Sequence, residues 1–330
     1  MTGPLTIVVN PAAGGGAAAR SMAQVMAVLD GAGARYTVQE SKSLDHARSL
    51  AAAAAEGGET VVAFGGDGMA GALAGAVAQA ARRIAGEAAG AVAQASLAGT
   101  FGVIPCGRGN DFARTHGIPF ESAAAARVLT GGTLRPADLI EVSRTGGPGT
   151  DGGPSMVAGS VYPGIPAVAG EIANQTRLIR GPIVYNLAAL RALLGWKPTT
   201  FRLAADGADG GRIEREFRGY GVVAANVPYF GAGMKVAPGA ETDDGLLDIV
   251  MMRHAPKLTF VRALTKIKDG SHVNLDQIEV LRARSVTLST DRPVPAGADG
   301  ELLAYAAPLP AGAQLHVRAV PGALRLIVPR

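Results

Sequence analysis

The run Thr60-Val61-Val62-Ala63-Phe64-Gly65-Gly66-Asp67-Gly68 constrains this chain more than any other stretch. An apolar strand enters a loop that holds one carboxylate among glycines, and a helix is expected from Met69 onward. Glycines let backbone N–H groups approach a phosphate closely, and a helix N-terminus adds positive potential there. A bare carboxylate repels a phosphate, so Asp67 makes sense where a divalent cation, Mg²⁺ first among them, lies between the two. The alternative is a tight turn in which Asp67 caps the helix that follows.

Two further strands end in the same way. Leu5 to Val9 leads into Asn10-Pro11-Ala12-Ala13-Gly14-Gly15-Gly16, with Arg20 one helical step beyond, where a guanidinium reaches a phosphate oxygen. No Gly-Lys-Ser/Thr follows, so this is not a P-loop of the Walker type. Phe101 to Ile104 leads into Pro105-Cys106-Gly107-Arg108-Gly109-Asn110-Asp111, with Asn110 or Asp111 as the expected N-cap of another helix and Asn110 as a candidate hydrogen-bond partner of the nucleotide. Strands at 36–39 and helices at 17–31, 43–56 and 69–81 complete an alternation that predicts a parallel sheet wound with helices. In such a sheet the loops share the carboxyl edge, where ligands bind.

After Pro136-Ala137-Asp138 the pattern changes to strands joined by Gly/Asp turns. A hairpin is expected at 199–205 and 212–217, with strands at 221–225, 246–252, 285–289, 314–319 and 323–328 and one helix at 257–268. The fold class is therefore an α/β nucleotide-binding domain, parallel sheet with helices, plus a mainly antiparallel β-sandwich domain. The expected boundaries are 1–138, 139–312, and a C-terminal return of 313–330 to the first domain. The Gly/Pro-rich stretch Ser143 to Pro154 reads as a mobile hairpin tip or loop.

At 330 residues and 48% hydrophobic content the chain supplies two cores, and a formal charge of +4 is too mild to imply nucleic acid without a basic stripe and interleaved aromatics. The alanines of 51–55 read as a compositional habit. One cysteine, Cys106, excludes an intramolecular disulfide and a cysteine-built zinc site, which favours a reducing compartment, the cytoplasm, and Met1-Thr2-Gly3-Pro4 lacks the basic region of a secretory signal. The five histidines have no metal-ligand spacing and read as surface or turn residues. By turn grammar alone Asp299-Gly300-Glu301 is an ordinary hairpin turn, and Asp243-Asp244-Gly245 is either a turn or an oxygen-rich cation site. The apolar stretch Leu187 to Trp196 is a core helix by spacing, or a lip for acyl chains.

Taken in order, these segments resemble the diacylglycerol kinase catalytic family, which includes bacterial lipid kinases and sphingosine and ceramide kinases and is distantly related to NAD kinases. The resemblance rests on Val9-Asn10-Pro11 with Gly14, Gly65-Gly66-Asp67-Gly68, and Gly102-Val103-Ile104-Pro105 leading to Gly109-Asn110-Asp111-Phe112. It continues through Asp138-Leu139, Gly181-Pro182 with Tyr185, Gly231-Ala232-Gly233-Met234, Asp244-Gly245-Leu246-Leu247-Asp248, Asp299-Gly300-Glu301 and Pro321-Gly322. It implies an ATP- and Mg²⁺-dependent kinase that phosphorylates a hydroxyl of a diacylglycerol-like or sphingoid-like lipid. Asp299 would be the general base, Asp67 part of the cation and triphosphate network, and Asp244 the counterpart of a position that holds a structural Mg²⁺ in some bacterial members. Asn10, Gly14, Arg20, Gly65, Gly66, Gly68, Gly107, Arg108, Asn110 and Glu301 are the expected nucleotide contacts.

Against the family pattern, Met69 stands where a Thr is usual, Gly71-Ala72 replace Asn-Glu, Arg108 replaces a small or hydroxyl residue, and Gly159 and Pro166 replace Asn and Asp. Arg108 can supply the phosphate contact that Met69 lacks. A second reading makes the chain a weak or inactive relative that senses nucleotide or lipid, and a third gives it a soluble hydroxyl acceptor. The expected partners are a lipid or other hydroxyl-bearing small molecule and a peripheral membrane surface, the inner face included. A homodimer is compatible with the chain.

Overall fold

A computed structural model describes residues 3–87, 99–146, 154–176, 182–299, 301–302 and 308–330, without the side chains of Glu87, Asn174, Pro182, Ile183, Tyr185, Glu301 and Leu302. The expected loop tip at 147–153, Gly181 and Gly300 lie outside the described residues. The chain forms two compact units, Met1–Leu139 with Gly322–Arg330, and Ile140–Pro321.

In the first unit, β1 (Leu5–Val9), β3 (Thr60–Gly65) and β4 (Thr100–Pro105) are buried along their whole length. Such unbroken apolar runs belong in a parallel sheet covered on both faces. The register is parallel throughout, Val9 opposite Phe64 and Phe64 opposite Ile104, so the three strands end at one edge. β2 (Tyr36–Glu40) pairs with β1 outside and is largely exposed, as an edge strand with polar residues should be. The end of the last strand, β16 (Gln314–Val328), lies parallel to β4 through Arg325 and Leu326.

The helices that cover this sheet are α1 (Ala13–Gly31), α2 (Leu44–Glu56), α3 (Asp67–Glu87), α4 (Asp111–Thr115) and α5 (Ser122–Gly131). Regular helix begins at Ala17, because Gly14, Gly15 and Gly16 all have positive φ. Ser43 caps α2 by accepting from His46 N–H, and its buried face is Ala47, Ala51, Ala54 and Ala55. The alanines are thus a packing face at helical spacing, small enough to bring helix and sheet close. Asp138, where the chain leaves this unit, is buried and accepts from the N–H of Gly322 at 2.7 Å, where it returns.

The second unit holds β6 (Ser155–Val157), β7 (Ser160–Pro163), β8 (Thr199–Gly207), β9 (Arg212–Ala225), β12 (Leu247–Arg253), β13 (Ile278–Thr290), β14 (Ala296–Ala298), β15 (Glu301–Leu302) and the start of β16; the end of β5 (Thr133–Thr145) pairs with β6. These strands pair antiparallel in the order β15-β14-β7-β9-β12-β13-β16. β9 and β13 change partner midway, each pairing with β8 at one end and β12 at the other. Irregularities at Met252/Arg253 and Ala283/Ser285 accompany the change, the usual way strands turn the corner of a sandwich. The expected strands 212–217 and 221–225 are therefore one bent strand. A short hairpin, β10 (Tyr229–Phe230) with β11 (Met234–Lys235), stands apart.

Alternation along β12 feeds two cores. Leu247, Ile249 and Met251 join Phe201, Phe217 and Val286 on one face, while Val250 packs with Val223, Met234 and Ile278 on the other. The expected helix at 257–268 is α8 (Lys257–Lys266) and the core helix read at 187–196 falls in α7 (Pro182–Gly195); α6 (Ile165–Gln175) joins them, and the three pack on each other around Leu193, Tyr220 and Phe260. The segment 313–321 belongs to this unit, since Leu315–Arg318 pair with β13 before the chain returns to the first.

Asp248 is buried, with Arg282 Nε 3.4 Å from its carboxylate. Burial pushes its pKa up to about 6 despite Arg282, and Asp244 and Glu241 push the same way. A folded-state value above the unfolded one means that the ionised carboxylate costs stability above pH 6, and that the cost fades as pH falls toward the ordinary carboxylate range. Asp248→Asn is expected to raise the melting temperature at about pH 8 and leave it unchanged at about pH 4. Equal shifts at both values in thermal unfolding would count against burial as the dominant effect.

Candidate active site

The three glycine loops of the first unit meet at the carboxyl edge of its sheet. The N–H of Asn10 donates to the carbonyl of Phe64 and the N–H of Cys106 to that of Gly65, which extends the ladder one residue into each loop. Asn10 Oδ1 accepts from Ala12 N–H at 3.1 Å, closing a turn that aims the chain at Gly14. A Cβ on Gly14 would lie 2.2 Å from the carbonyl oxygen of Cys106, so only glycine lets the first loop reach the third. Arg20, exposed, donates from Nη1 to the Gly15 carbonyl at 3.0 Å and so holds the left-handed turn from outside.

The second and third loops abut at glycine. A Cβ on Gly107 would fall 2.6 Å from the Cα of Gly66, and one on Gly66 would fall 3.2 Å from the Cα of Gly107. Asn110 is left-handed at φ 53, and its Oδ1 accepts from Gly107 N–H at 2.8 Å. It occupies the expected N-cap position of α4, but its side chain makes no cap hydrogen bond there. That task falls to Asp67, whose Oδ1 accepts from Phe112 N–H at 3.0 Å across 45 residues. Burial raises the pKa of Asp67, and the N–H groups of Phe112, Asn110 and Asp111 together with the charge of Arg114 oppose the rise. Asp67 thus caps a helix, as one of the expected options had it, but the helix that follows the third loop and not the one that follows its own.

Met69 is buried and folds back over Gly65, where a Cβ would meet its sulfur at 2.6 Å. Gly68 lies in the first turn of α3, and Arg108 is exposed at the tip of the third loop. Cys106 is buried, which pushes its thiol up to about 11 and leaves it protonated rather than nucleophilic.

In the second unit Asp299 is left-handed at φ 48. Its Oδ1 accepts from Gly159 N–H at 2.7 Å and Ser160 N–H at 3.1 Å, its Oδ2 accepts from Ala158 N–H at 2.7 Å, and its own N–H donates to the Ser160 carbonyl. The departure at Gly159 thus supplies one of the N–H groups that orient this carboxylate. Turn grammar alone could not foresee this, since the donors lie about 140 positions upstream. Glu301 pairs with Ala298 through the backbone of β14 and β15, and its side chain is outside the described atoms.

The two carboxylates expected to face a cation are both engaged by the protein. Asp67 faces backbone N–H groups, and Asp244 is ion-paired with Arg282 while accepting from Leu246 N–H at 2.9 Å. Among the described residues no group of three His, Cys, Asp or Glu side chains converges on a point. These donor sets do not fit a protein cage for Mg²⁺. One histidine departs from the surface or turn reading: His272 is buried with Nε2 3.1 Å from the Val236 carbonyl. His116 lies in the turn after α4 as expected, against Phe112, and its surroundings lower its pKa to about 4.

One feature of the second unit had no local signal in sequence. A small apolar pocket of about 70 Å³ opens beside α6 and α8, lined by residues such as Pro166, Phe230, Met234, Val250 and Phe260 with His272 as the single polar side chain. Its wall draws on eight separate helices and strands and on the short turn that carries His272, which hides it from any reading along the chain.

The diacylglycerol kinase catalytic domain model matches residues 4–142, and the YegS C-terminal NAD kinase beta sandwich-like domain model matches residues 159–328. A diacylglycerol kinase of Mycobacterium tuberculosis is 31% identical over 99% of this chain and 96% of its own length. A diacylglycerol kinase of Bacillus subtilis is 26% identical over 89% of this chain and 88% of its own. The fold is that of a diacylglycerol kinase crystal structure from Bacillus anthracis, at a TM-score of 0.67 and 20% identity, covering 99% of this chain and 96% of the other. The chain belongs to the diacylglycerol kinase family, phosphotransferases that use a nucleotide and act on an alcohol group.

Removing the Asp67 carboxylate leaves buried N–H groups of α4 without a partner, and loss of a cap costs about 1–2 kcal/mol. Asp67→Ala should lower the melting temperature of the first unit by a few degrees, while Asp67→Asn, whose amide oxygen still accepts, should hold it near wild type. Differential scanning calorimetry of both variants decides the matter. An Ala variant as stable as the Asn variant would show that the cap is not made.

Proposed function

We propose that this chain is an ATP-dependent lipid kinase that transfers the γ-phosphoryl group to a hydroxyl of a diacylglycerol-like or sphingoid-like lipid. The observation that carries this reading is the convergence of three glycine loops at one sheet edge. The left-handed run Gly14–Gly16 turns the first loop sharply into the start of α1, whose N-terminal end favours an anion. Arg20, Arg108 and Asn110 lie on the same three loops and would contact the triphosphate together with Asn10, Gly65, Gly66, Gly68 and Gly107. Mg²⁺ would be held chiefly by phosphate oxygens and water, the coordination it favours, and would neutralise charge on the transferring group.

Asp299 is the general base of this reading. Three backbone N–H groups hold its carboxylate in one orientation, so it meets an acceptor hydroxyl without reorganising. As it takes the proton, the lipid oxygen bonds to the γ-phosphorus and the bond to the ADP oxygen breaks. The apolar pocket favours an acyl chain over a sugar or dinucleotide acceptor, because a polar ligand would lose its water there with almost nothing to replace it. Met69, buried against Gly65, acts in packing, and the charge it lacks is supplied by Arg108.

Asp299→Asn is expected to cut turnover by about 10²-fold or more, the usual worth of a general base, while an ATP analogue binds as before. The measurement is phosphate transfer from labelled ATP to a panel of lipids and soluble alcohols, with circular dichroism to verify the fold. Full residual activity in a folded variant would remove Asp299 from the chemistry, and transfer only to soluble alcohols would remove the lipid.

A further inference from the structure

Asn226 is a polar side chain only 1% exposed, set in the otherwise apolar run Val222-Val223-Ala224-Ala225-Asn226-Val227. Burying an amide costs stability unless its groups are bonded, so its partners show what it is there to hold. Asn226 follows directly on β9, whose Ala225 lies opposite Ser160 of β7. On the other side of β7 runs β14, where Ala298 lies opposite Val161 and Asp299 comes next. The bend at Ala158 and Gly159, through which the chain enters β7, therefore has Asn226 on one flank and Asp299 on the other.

Two peptide planes are strung between these two residues. In the first, the Ala158 carbonyl accepts from Asn226 Nδ2 at 3.2 Å while the N–H of Gly159 donates to Asp299 Oδ1 at 2.7 Å. In the second, the Gly159 carbonyl accepts from the Asn226 backbone N–H at 2.9 Å while the N–H of Ser160 donates to the same Oδ1 at 3.1 Å. A trans peptide is rigid, and its carbonyl and N–H point opposite ways. Fixing the oxygen end therefore fixes the direction of the N–H end. Gly159 contributes by what it lacks. A Cβ there would lie 2.8 Å from Asp299 Oδ1, too close for contact, whereas the next neighbour, Val227, stands at an ordinary 3.5 Å. The atom that would have to give way is thus the carboxylate oxygen itself.

We propose that Asn226 and Gly159 are positioning residues for the phosphoryl transfer. Asn226 locks the two peptides whose N–H groups aim the Asp299 carboxylate, and Gly159 leaves the space in which that carboxylate sits. Asn226 acts from inside the core, through Asp299, without meeting the acceptor. A reacting group displaced by about 1 Å can lose 10²-fold in rate, so a small turn of either peptide reaches the chemistry. The inference deepens the lipid-kinase reading and rests on Asp299 as its base.

The test is a kinetic cycle: Asn226→Ala and Gly159→Ala, each made in the wild-type chain and in Asp299→Asn, assayed by transfer from labelled ATP to a short-chain diacylglycerol. In the wild-type chain each should lower kcat by about tenfold or more and leave KM for ATP unchanged. In Asp299→Asn each should change the residual rate by less than about twofold, because the group they aim is already gone. Gly159→Ala should keep the wild-type melting temperature, since only the end of one side chain must move, and it carries the test if Asn226→Ala fails to fold. A folded variant with wild-type kcat, or an equal fall in both backgrounds, overturns the proposal. Full activity of Asp299→Asn alone brings down the base, and this proposal with it. If the wild-type chain phosphorylates no acceptor, the kinase reading falls and crystal structures of the two variants decide the positioning. The Asp299 carboxylate should then have left at least one of the N–H groups of 158–160, and a carboxylate in its original place overturns the inference.

Discussion

The carboxylate of Asp67 and the helix turn that begins at Asp111 form the contact on which the first unit's site depends. A strand-end carboxylate accepts the N–H of Phe112, and directly beside it Gly66 and Gly107 touch with no room for a Cβ. The two effects reinforce each other. Without the glycines the loops cannot approach closely enough for the bond, and without the bond the first N–H groups of α4 have no partner in a buried place. Gly14 against the Cys106 carbonyl then fastens the remaining loop to the same point.

This arrangement changes what the signature loop means chemically. Its acidic residue ties backbone to backbone and is engaged by the protein, and burial raises its pKa, so its first service is to shape. The same logic holds in the second unit, where Asp299 sits in a left-handed backbone and is gripped by the N–H groups of Ala158, Gly159 and Ser160. There the grip orients a group suited to proton transfer. Two aspartates that look alike as members of Gly-rich motifs are held by the same kind of donor, and the reading separates them into a brace and a base.

Much of the first unit was legible because its signals are local. Continuous apolar runs at 5–9, 60–65 and 100–105 specify strands buried on both faces, and glycine clusters at their ends specify loops that helices follow. The second unit was harder to read. Residues 212–225 look like two strands because Gly219 and Gly221 interrupt the apolar run, whereas the backbone continues through a bend as it changes partner. Helix α6 has no such signal in sequence, and α7 shows itself only from Leu187 onward, since its apolar pattern has little periodicity.

By itself the sequence determined the alternation of strands and helices around the three glycine loops, the parallel and antiparallel halves, and the family, all of which follow from neighbours within a few residues. Only the tertiary structure decided what each polar group touches: Asp67 on Phe112, Asp244 and Asp248 on Arg282, Asp299 on Gly159, Asn110 on Gly107. Apart from the last, these partners lie dozens of positions apart or more, and a buried carboxylate takes whichever donor the packed backbone brings to it. That is why the loop around Asp67 announced its family so clearly and left its carboxylate's own partner to be found in space.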